Sequence, residues 1–312
     1  MKALFKSVNL IGDALYVGPA LRAWIKQQKE PVSIWMWTLN DHVAPLYAGM
    51  VRDLDVDFHT CFEAPVDQVP DFKHTFDVNA AFKLSDQKKQ HLAKSYADLL
   101  GVEIGDQKSD LKPIYIPVDD GTVPLKEDLV NSLEGCILVS MFSASCTGRD
   151  PKCNYIPNKM LPWEKWKPML DFLRIHFPET PIRFLGAPTD ETPSILGGYG
   201  VTMLGIPLNR LALIMHSAKL LVTIDNGMSH LGASQELCTY LMYPKALGLH
   251  YILPIGNPNL VFVHMNPVTV DPAYLLNGLQ YAVGKFEKTV WIGKQIKGLS
   301  PAMRRVLKEI DK

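Results

Sequence analysis

Residues 220–231 read LLVTIDNGMSHL and change character halfway along. Leu220 to Ile224 is an apolar, β-branched run of strand type. Asp225, Asn226 and Gly227 then turn the chain into a helix-compatible stretch that opens with Met228, Ser229 and His230. Asn-Gly is a common turn pair and Asn a good helix cap, so a plain strand, turn and helix accounts for these types. The same arrangement also makes an anion site. The first N–H groups of a helix and its dipole favour negative charge, Gly227 lets the backbone approach closely, and His230 can donate to the same group. A second stretch, SVNLIGDALYVGPAL (7–21), takes Ser7, Gly12 and Asp13 from strand to helix without a GxGxxG fingerprint. There Asp13 either caps the helix or brings a carboxylate to the mouth of the first domain. A third, SASCTGRDPKCNYIPNKMLPWEKW (143–166), holds Ser143, Ser145, Thr147, Arg149, Lys152 and Lys159 in a long loop without periodic pattern. Loops of that length inside a compact domain are usually functional or disordered.

Three further groups invite chemistry and have plain explanations. DLDVD (53–57) contains a DxD of the kind that holds divalent metals. Alternation on a strand would put its acids on one exposed face, with too few oxygen ligands for a cation. Trp35 and Trp37 can stack a sugar, or can lie on a strand partly covered by helices. Cys146 and Cys153 flank a Gly/Pro-rich loop, but the spacing is not that of a zinc site.

The elements that must position these residues alternate between strand and helix. Residues 3–9, 31–39 and 53–59 read as strands, with helices at 12–28 and 42–50. Residues 85–102 read as one helix, capped by Ser85 and stopped by Gly101, with Leu92, Tyr96, Leu99 and Leu100 as its stripe. Residues 111–124, with Pro113, Pro117 and Pro124, suggest an edge strand and linker. The rhythm then restarts: strands at 136–143, 181–187 and 220–225, and helices at 162–177, 207–218, 228–237 and 273–285. Two doubly wound α/β domains are expected, spanning 1–130 and 131–284, with the ligand in the cleft between them. Residues 285–312 are expected to form a C-terminal helical segment packed back on the body, ending in a basic amphipathic helix at 297–312.

Bulk properties narrow the classes. The chain has 312 residues, 47% apolar and 21% charged, which is globular and large enough for two cores. Lys plus Arg and Asp plus Glu number 32 each, so no net field draws the protein to nucleic acid or an acidic membrane. The five cysteines include no CxxC, which argues against a disulfide framework. No apolar run reaches the roughly 18 residues a membrane span needs. The N-terminal run is broken by Lys6, Asn9 and Asp13, unlike a signal peptide, so a cytoplasmic location is expected.

Taken in order, the three stretches resemble the lipopolysaccharide heptosyltransferases, glycosyltransferase family nine. Ser7, Gly12-Asp13 and Pro19-Ala20-Leu21 match the family's opening, and Lys159 precedes the Trp-rich helix at Pro162–Trp166. FLGAPTDE (184–191) matches a strand running into a glycine and an acid. Asp225-Asn226-Gly227-Met228-Ser229-His230-Leu231-Gly232 matches D-T-G-x-x-H-x-A, with Asn226 for threonine and Gly232 for alanine. Asn9-Leu10-Ile11 departs from the family's small polar stretch.

The resemblance implies a GT-B-like enzyme with two Rossmann-like domains facing a central cleft. It implies inverting, metal-independent transfer from a nucleotide-diphosphate sugar, ADP-sugar being favoured, to a hydroxyl acceptor such as a glycolipid. No cofactor is implied. Asp13 would be the base, with Ser7 and Gly12 beside it on the acceptor or phosphate side. The donor would meet Ser143, Ser145, Lys159, Asp190 or Glu191, and Asp225, Asn226, Gly227, Met228 and His230. A monomer, cytoplasmic or peripheral at the inner membrane face, is the expected form. Alternatives are another acceptor, such as a capsule glycan or a modified nucleobase, a sugar-nucleotide epimerase, or a non-catalytic sugar-nucleotide-binding protein.

Overall fold

The computed structural model describes residues 1–6, 11–38, 44–61, 71–117, 135–141, 160–186, 194–244, 253–254 and 256–291. Two parallel sheets are present, one formed by residues before 118 and one by residues after 134. The first contains β1 (Lys2–Lys6), β2 (Val32–Trp37), β3 (Val56–Cys61) and β4 (His74–Asp77) in the order β3-β2-β1-β4. Helices α1 (Ile11–Gln27), α2 (Ala44–Val51), α3 (Ala80–Lys88) and α4 (Leu92–Leu100) accompany it. The second contains β5 (Ile137–Ser140), β6 (Ile182–Gly186), β7 (Val201–Leu204), β8 (Leu220–Ile224), β9 (Thr239–Pro244) and β10 (Leu260–Met265). Its order is β10-β9-β8-β5-β6-β7, the doubly wound arrangement. Helices α5 (Trp163–His176), α6 (Leu208–Ser217), α7 (Gly227–Ser234) and α8 (Pro272–Phe286) cover its two faces.

The side-chain patterns explain the layers. Every residue of β8 is buried, as a parallel strand covered on both faces requires. Leu138 and Leu221 join the cluster that contains α6 and α7. Ile137, Val139, Leu220 and Val222 join α5 and α8 on the opposite face. The first of these clusters does not stop at the second sheet. It runs on through Tyr16, Tyr47 and Tyr96 to Phe5, Ile34 and Met36, so the two sheets share one continuous apolar core. On β2, Val32, Ile34 and Met36 point into that core, while Trp35 and Trp37 are half-exposed on the other face. Trp35 stacks on His59, with ring centroids 4.4 Å apart.

Several expectations are corrected. Residues 85–102 are two helices. Lys89 adopts a left-handed conformation (φ 52°), and α4 restarts at His91. Ser85 is therefore inside α3, where its hydroxyl donates to the Gln90 carbonyl at 2.7 Å. Gly101 does end α4, at φ 67°. Residues 112–117 form no strand; a 3-10 turn at Lys108–Leu111 leads into irregular chain. Asp53 and Asp55 precede β3, and Asp53 forms a two-point pair with Arg22 at 2.5 and 2.7 Å. Asp57 instead meets His59 at 2.7 Å. Among the described residues no group of three or more His, Cys, Asp or Glu could hold a metal ion. None of their helices is long and apolar enough to cross a membrane. The expected helix at 297–312 lies outside the described residues.

His91 ties this layer together. Its Nδ1 accepts from the Ala93 N–H at 3.3 Å, capping α4, and its Nε2 donates to the Leu253 carbonyl at 3.2 Å. Burial outweighs the Leu253 bond and pushes its pKa from 6.5 down to about 4. The unfolded chain therefore takes up this proton near pH 6.5 while the folded chain stays neutral, so stability falls as pH drops from 6.5 toward 4. The full loss is about 3 kcal/mol at one pKa unit per 1.4 kcal/mol. His91→Asn keeps a capping side chain without a titrating ring. Urea unfolding of this variant between pH 7 and 4 is expected to lose that pH dependence; an unchanged slope would assign it to other groups.

Candidate active site

In the second sheet the chain winds outward from β5 to β7 and then returns to β8 on the other side of β5. The crevice beyond the carboxyl ends of β5 and β8 is where sheets of this topology take ligands. Ser140 and Thr223 are register partners there. Asn226 closes the gap between the two strands. Its Nδ2 donates to Ser140 Oγ at 2.9 Å, and its Oδ1 accepts from the N–H groups of Met228 and Ser229 at 2.9 and 3.4 Å. Asn226 is thus the cap of α7, in extended conformation, and the Ser229 hydroxyl returns a bond to its carbonyl at 2.7 Å. The Met228 N–H expected to face an anion is engaged by this cap. Asn226, Gly227 and Met228 remain partly exposed at the crevice, whereas Asp225 and His230 are buried behind them.

The first turn of α1 meets the first turn of α7. A Cβ on Gly12 would fall within the imidazole of His230, and one on Gly227 would lie 2.9 Å from Ile11 Cβ. The two glycines therefore set the approach of the helices. Tyr16, one turn beyond Gly12 and wholly buried, places its hydroxyl 3.1 Å from His230 Nδ1. His230 Nε2 is turned toward Asp225 Oδ1 at 3.8 Å. His230, expected to donate to a bound anion, instead directs both nitrogens to protein groups.

Asp13 is the third residue of α1, so it lies inside the first turn and does not cap the helix. A carboxylate there is favoured by the helix dipole. Its charge reaches two buried tyrosines. Burial, then Asp225, Tyr243 and Asp13 raise the pKa of Tyr16; burial, then Asp13 and Tyr47 raise that of Tyr96. The Tyr96 hydroxyl is buried and has no hydrogen-bond partner among the described residues.

Of the residues singled out in the sequence, the structure brings together Gly12, Asp13, Asp225, Asn226, Gly227, Met228 and His230. Ser7, Ser143, Ser145, Lys159, Asp190 and Glu191 lie outside the described residues. Sequence reasoning missed Tyr16, Tyr96, Ser140 and Thr223. Tyr16 had a usable signal, since position i+3 from Asp13 shares its helix face.

No protein-family model matches the chain, and no curated protein matches it. Solved structures do. The E. coli ADP-heptose lipopolysaccharide heptosyltransferase II superposes with a TM-score of 0.63 at 12% identity, over 92% of this chain and 100% of that one. A glycosyl transferase of family 9 from Veillonella parvula gives 0.64 at 13% identity, over 91% and 97%. The E. coli heptosyltransferase WaaC with ADP gives 0.59 at 13% identity, over 92% and 98%. The fold is therefore that of the GT-B heptosyltransferases.

The glycine contact is open to test. Gly12→Ala must displace the His230 ring, and overpacking of this kind costs about 1–3 kcal/mol. Gly284 lies near the end of α8 with nothing within 4 Å of its added Cβ, so Gly284→Ala is expected to be neutral or to stabilise by up to about 1 kcal/mol. Equal effects of the two variants in urea unfolding would remove the seam as the reason for Gly12.

Proposed function

We propose that the chain is an inverting, metal-independent glycosyltransferase that moves a sugar, heptose or similar, from a nucleotide-diphosphate donor to a hydroxyl acceptor. The observation that carries this reading is the placement of Asp13. A carboxylate on the first unit stands at the contact between α1 and α7, beside the crevice of the second, on a fold shared with heptosyltransferases. Residues 1–130 then form the acceptor side and 131–284 the donor side. The ADP named with two of the similar structures makes an ADP-sugar the donor of choice, and a glycan or glycolipid hydroxyl the acceptor.

The chemistry follows from the charges that move. The acceptor oxygen attacks the anomeric carbon opposite the diphosphate, the carbon–diphosphate bond breaks with its electron pair, and Asp13 takes the hydroxyl proton. Configuration at that carbon inverts. Negative charge growing on the diphosphate is offset by Lys159 and by the start of α7 at Asn226, Gly227 and Met228. Ser143 and Ser145 hold phosphate oxygens, and Asp190 or Glu191 accepts from the ribose hydroxyls. His230 and Asp225, being buried, act behind this surface.

Asp13→Asn separates chemistry from helix stability. Removing the charge from the first turn should cost about 0.3–1 kcal/mol through the dipole. Removing the proton acceptor should lower turnover by about 10²–10⁴ while ADP-sugar binding persists. Turnover of ADP-heptose, followed by ADP release, and calorimetric donor binding decide this; an unimpaired rate would end the assignment. Because the diphosphate charge is assigned to Lys159 and a helix start, turnover is also expected to survive EDTA. Activity abolished by chelation and restored by Mn²⁺ would overturn metal independence.

A further inference from the structure

His230 is 4% exposed, and its ring stands edge-on to Tyr16 with centroids 5.2 Å apart. Its two nitrogens face different groups: Nδ1 the Tyr16 hydroxyl at 3.1 Å, and Nε2 the Asp225 carboxylate at 3.8 Å. A neutral imidazole has one N–H and one acceptor nitrogen. At 3.8 Å the Asp225 carboxylate is beyond hydrogen-bond reach and only biases the hydrogen toward Nε2, whereas the Tyr16 hydroxyl, within reach of Nδ1, fixes it there by donating. Nδ1 is then the acceptor, and the Tyr16 hydroxyl the donor. Burial and the nearby carboxylates hold the Tyr16 pKa well above 10, so its proton is available for that bond.

We propose that Tyr16 is a positioning residue that locks His230 in the Nε2–H tautomer and so fixes the first turn of α7 against the first turn of α1. The bond joins a residue one turn past Asp13 on the acceptor side to a residue in the first turn of α7 on the donor side. It therefore sets the spacing between the base and the crevice without touching either substrate. Misplacement of reacting groups by about 1 Å can cost about 10²-fold in rate. The tautomer is a property of the folded chain; its effect on turnover rests on the transferase reading.

Nitrogen NMR of protein labelled with ¹⁵N-histidine distinguishes the ring states directly. The chain has 9 histidines, and the His230 signals are those lost in His230→Gln. The wild type is expected to show His230 with a protonated Nε2 and a bare Nδ1 near neutral pH. Tyr16→Phe should lose this preference and show the other tautomer or exchange between the two. It should also lower kcat by about tenfold or more while calorimetric donor affinity changes little, a split that general loosening of the fold would not give. A wild-type ring found as Nδ1–H or as imidazolium overturns the proposal, even if Tyr16→Phe fails to fold. So does a Tyr16→Phe protein with an unchanged tautomer, or with a changed tautomer and unchanged kcat. A wild type that transfers no sugar, yet shows the Nε2–H ring released by Tyr16→Phe, keeps the lock and removes the transferase reading instead.

Discussion

The N-terminal ends of α1 and α7 are held against each other, and most of the site depends on that contact. Two helix N-termini each carry partial positive charge, so bringing them together is unfavourable unless negative groups share the space. Asp13 in the first turn of α1 and Asp225 just before α7 supply them. Contact at this distance also forbids side chains where the turns touch, which accounts for Gly12 under His230 and Gly227 under Ile11. The residue types that look catalytic in the sequence thus have a packing reason as well as a chemical one.

That double origin makes the seam informative about chemistry. A helix start whose first donors are taken by its own cap, as Asn226 takes Met228 and Ser229, offers a growing anion mainly a dipole and a closely approaching backbone. The Ser140–Asn226 bond adds rigidity by pinning the cap to the neighbouring strand. Asparagine can do both tasks through its two-headed amide, which a threonine hydroxyl at this position would have to divide differently. Preorganised groups of this kind do not have to reorient when charge develops, which is where their catalytic value lies.

How much of this could be read beforehand depended on the range of the interactions. α1, β2, α5, α6, β8, α7 and α8 follow local patterns strong enough to locate within a few residues. β4, β7, β9 and β10 went unassigned because short strands carry too few residues for a periodic signal, and an apolar run such as TYLMYP has none. The break between α3 and α4 rests on a left-handed Lys89, a conformation that lysine composition does not announce. At the site, the residues were legible but their directions were not. His230 was visible as a histidine in a first turn. That it faces Tyr16 follows from contact between segments 214 positions apart. Asp13 stood out by type, but its helical position depended on where α1 begins.

At the other end of α7 the contacts are of a different kind. Gln235 donates to the Tyr115 carbonyl at 3.0 Å, and Lys112 pairs with Glu236, whose side chain is 54% exposed. An exposed pair of that type contributes about 0–1 kcal/mol and weakens in salt. The seam itself buries Tyr16 and His230 within an apolar cluster that runs unbroken between the sheets, and burying a large side chain contributes about 1.5–3 kcal/mol. The buried seam at the start of α7 therefore outweighs the exposed Lys112–Glu236 pair as a tie between the units. Asp13 and the carboxyl end of β8 thus lie beside the more firmly held end of one eight-residue helix.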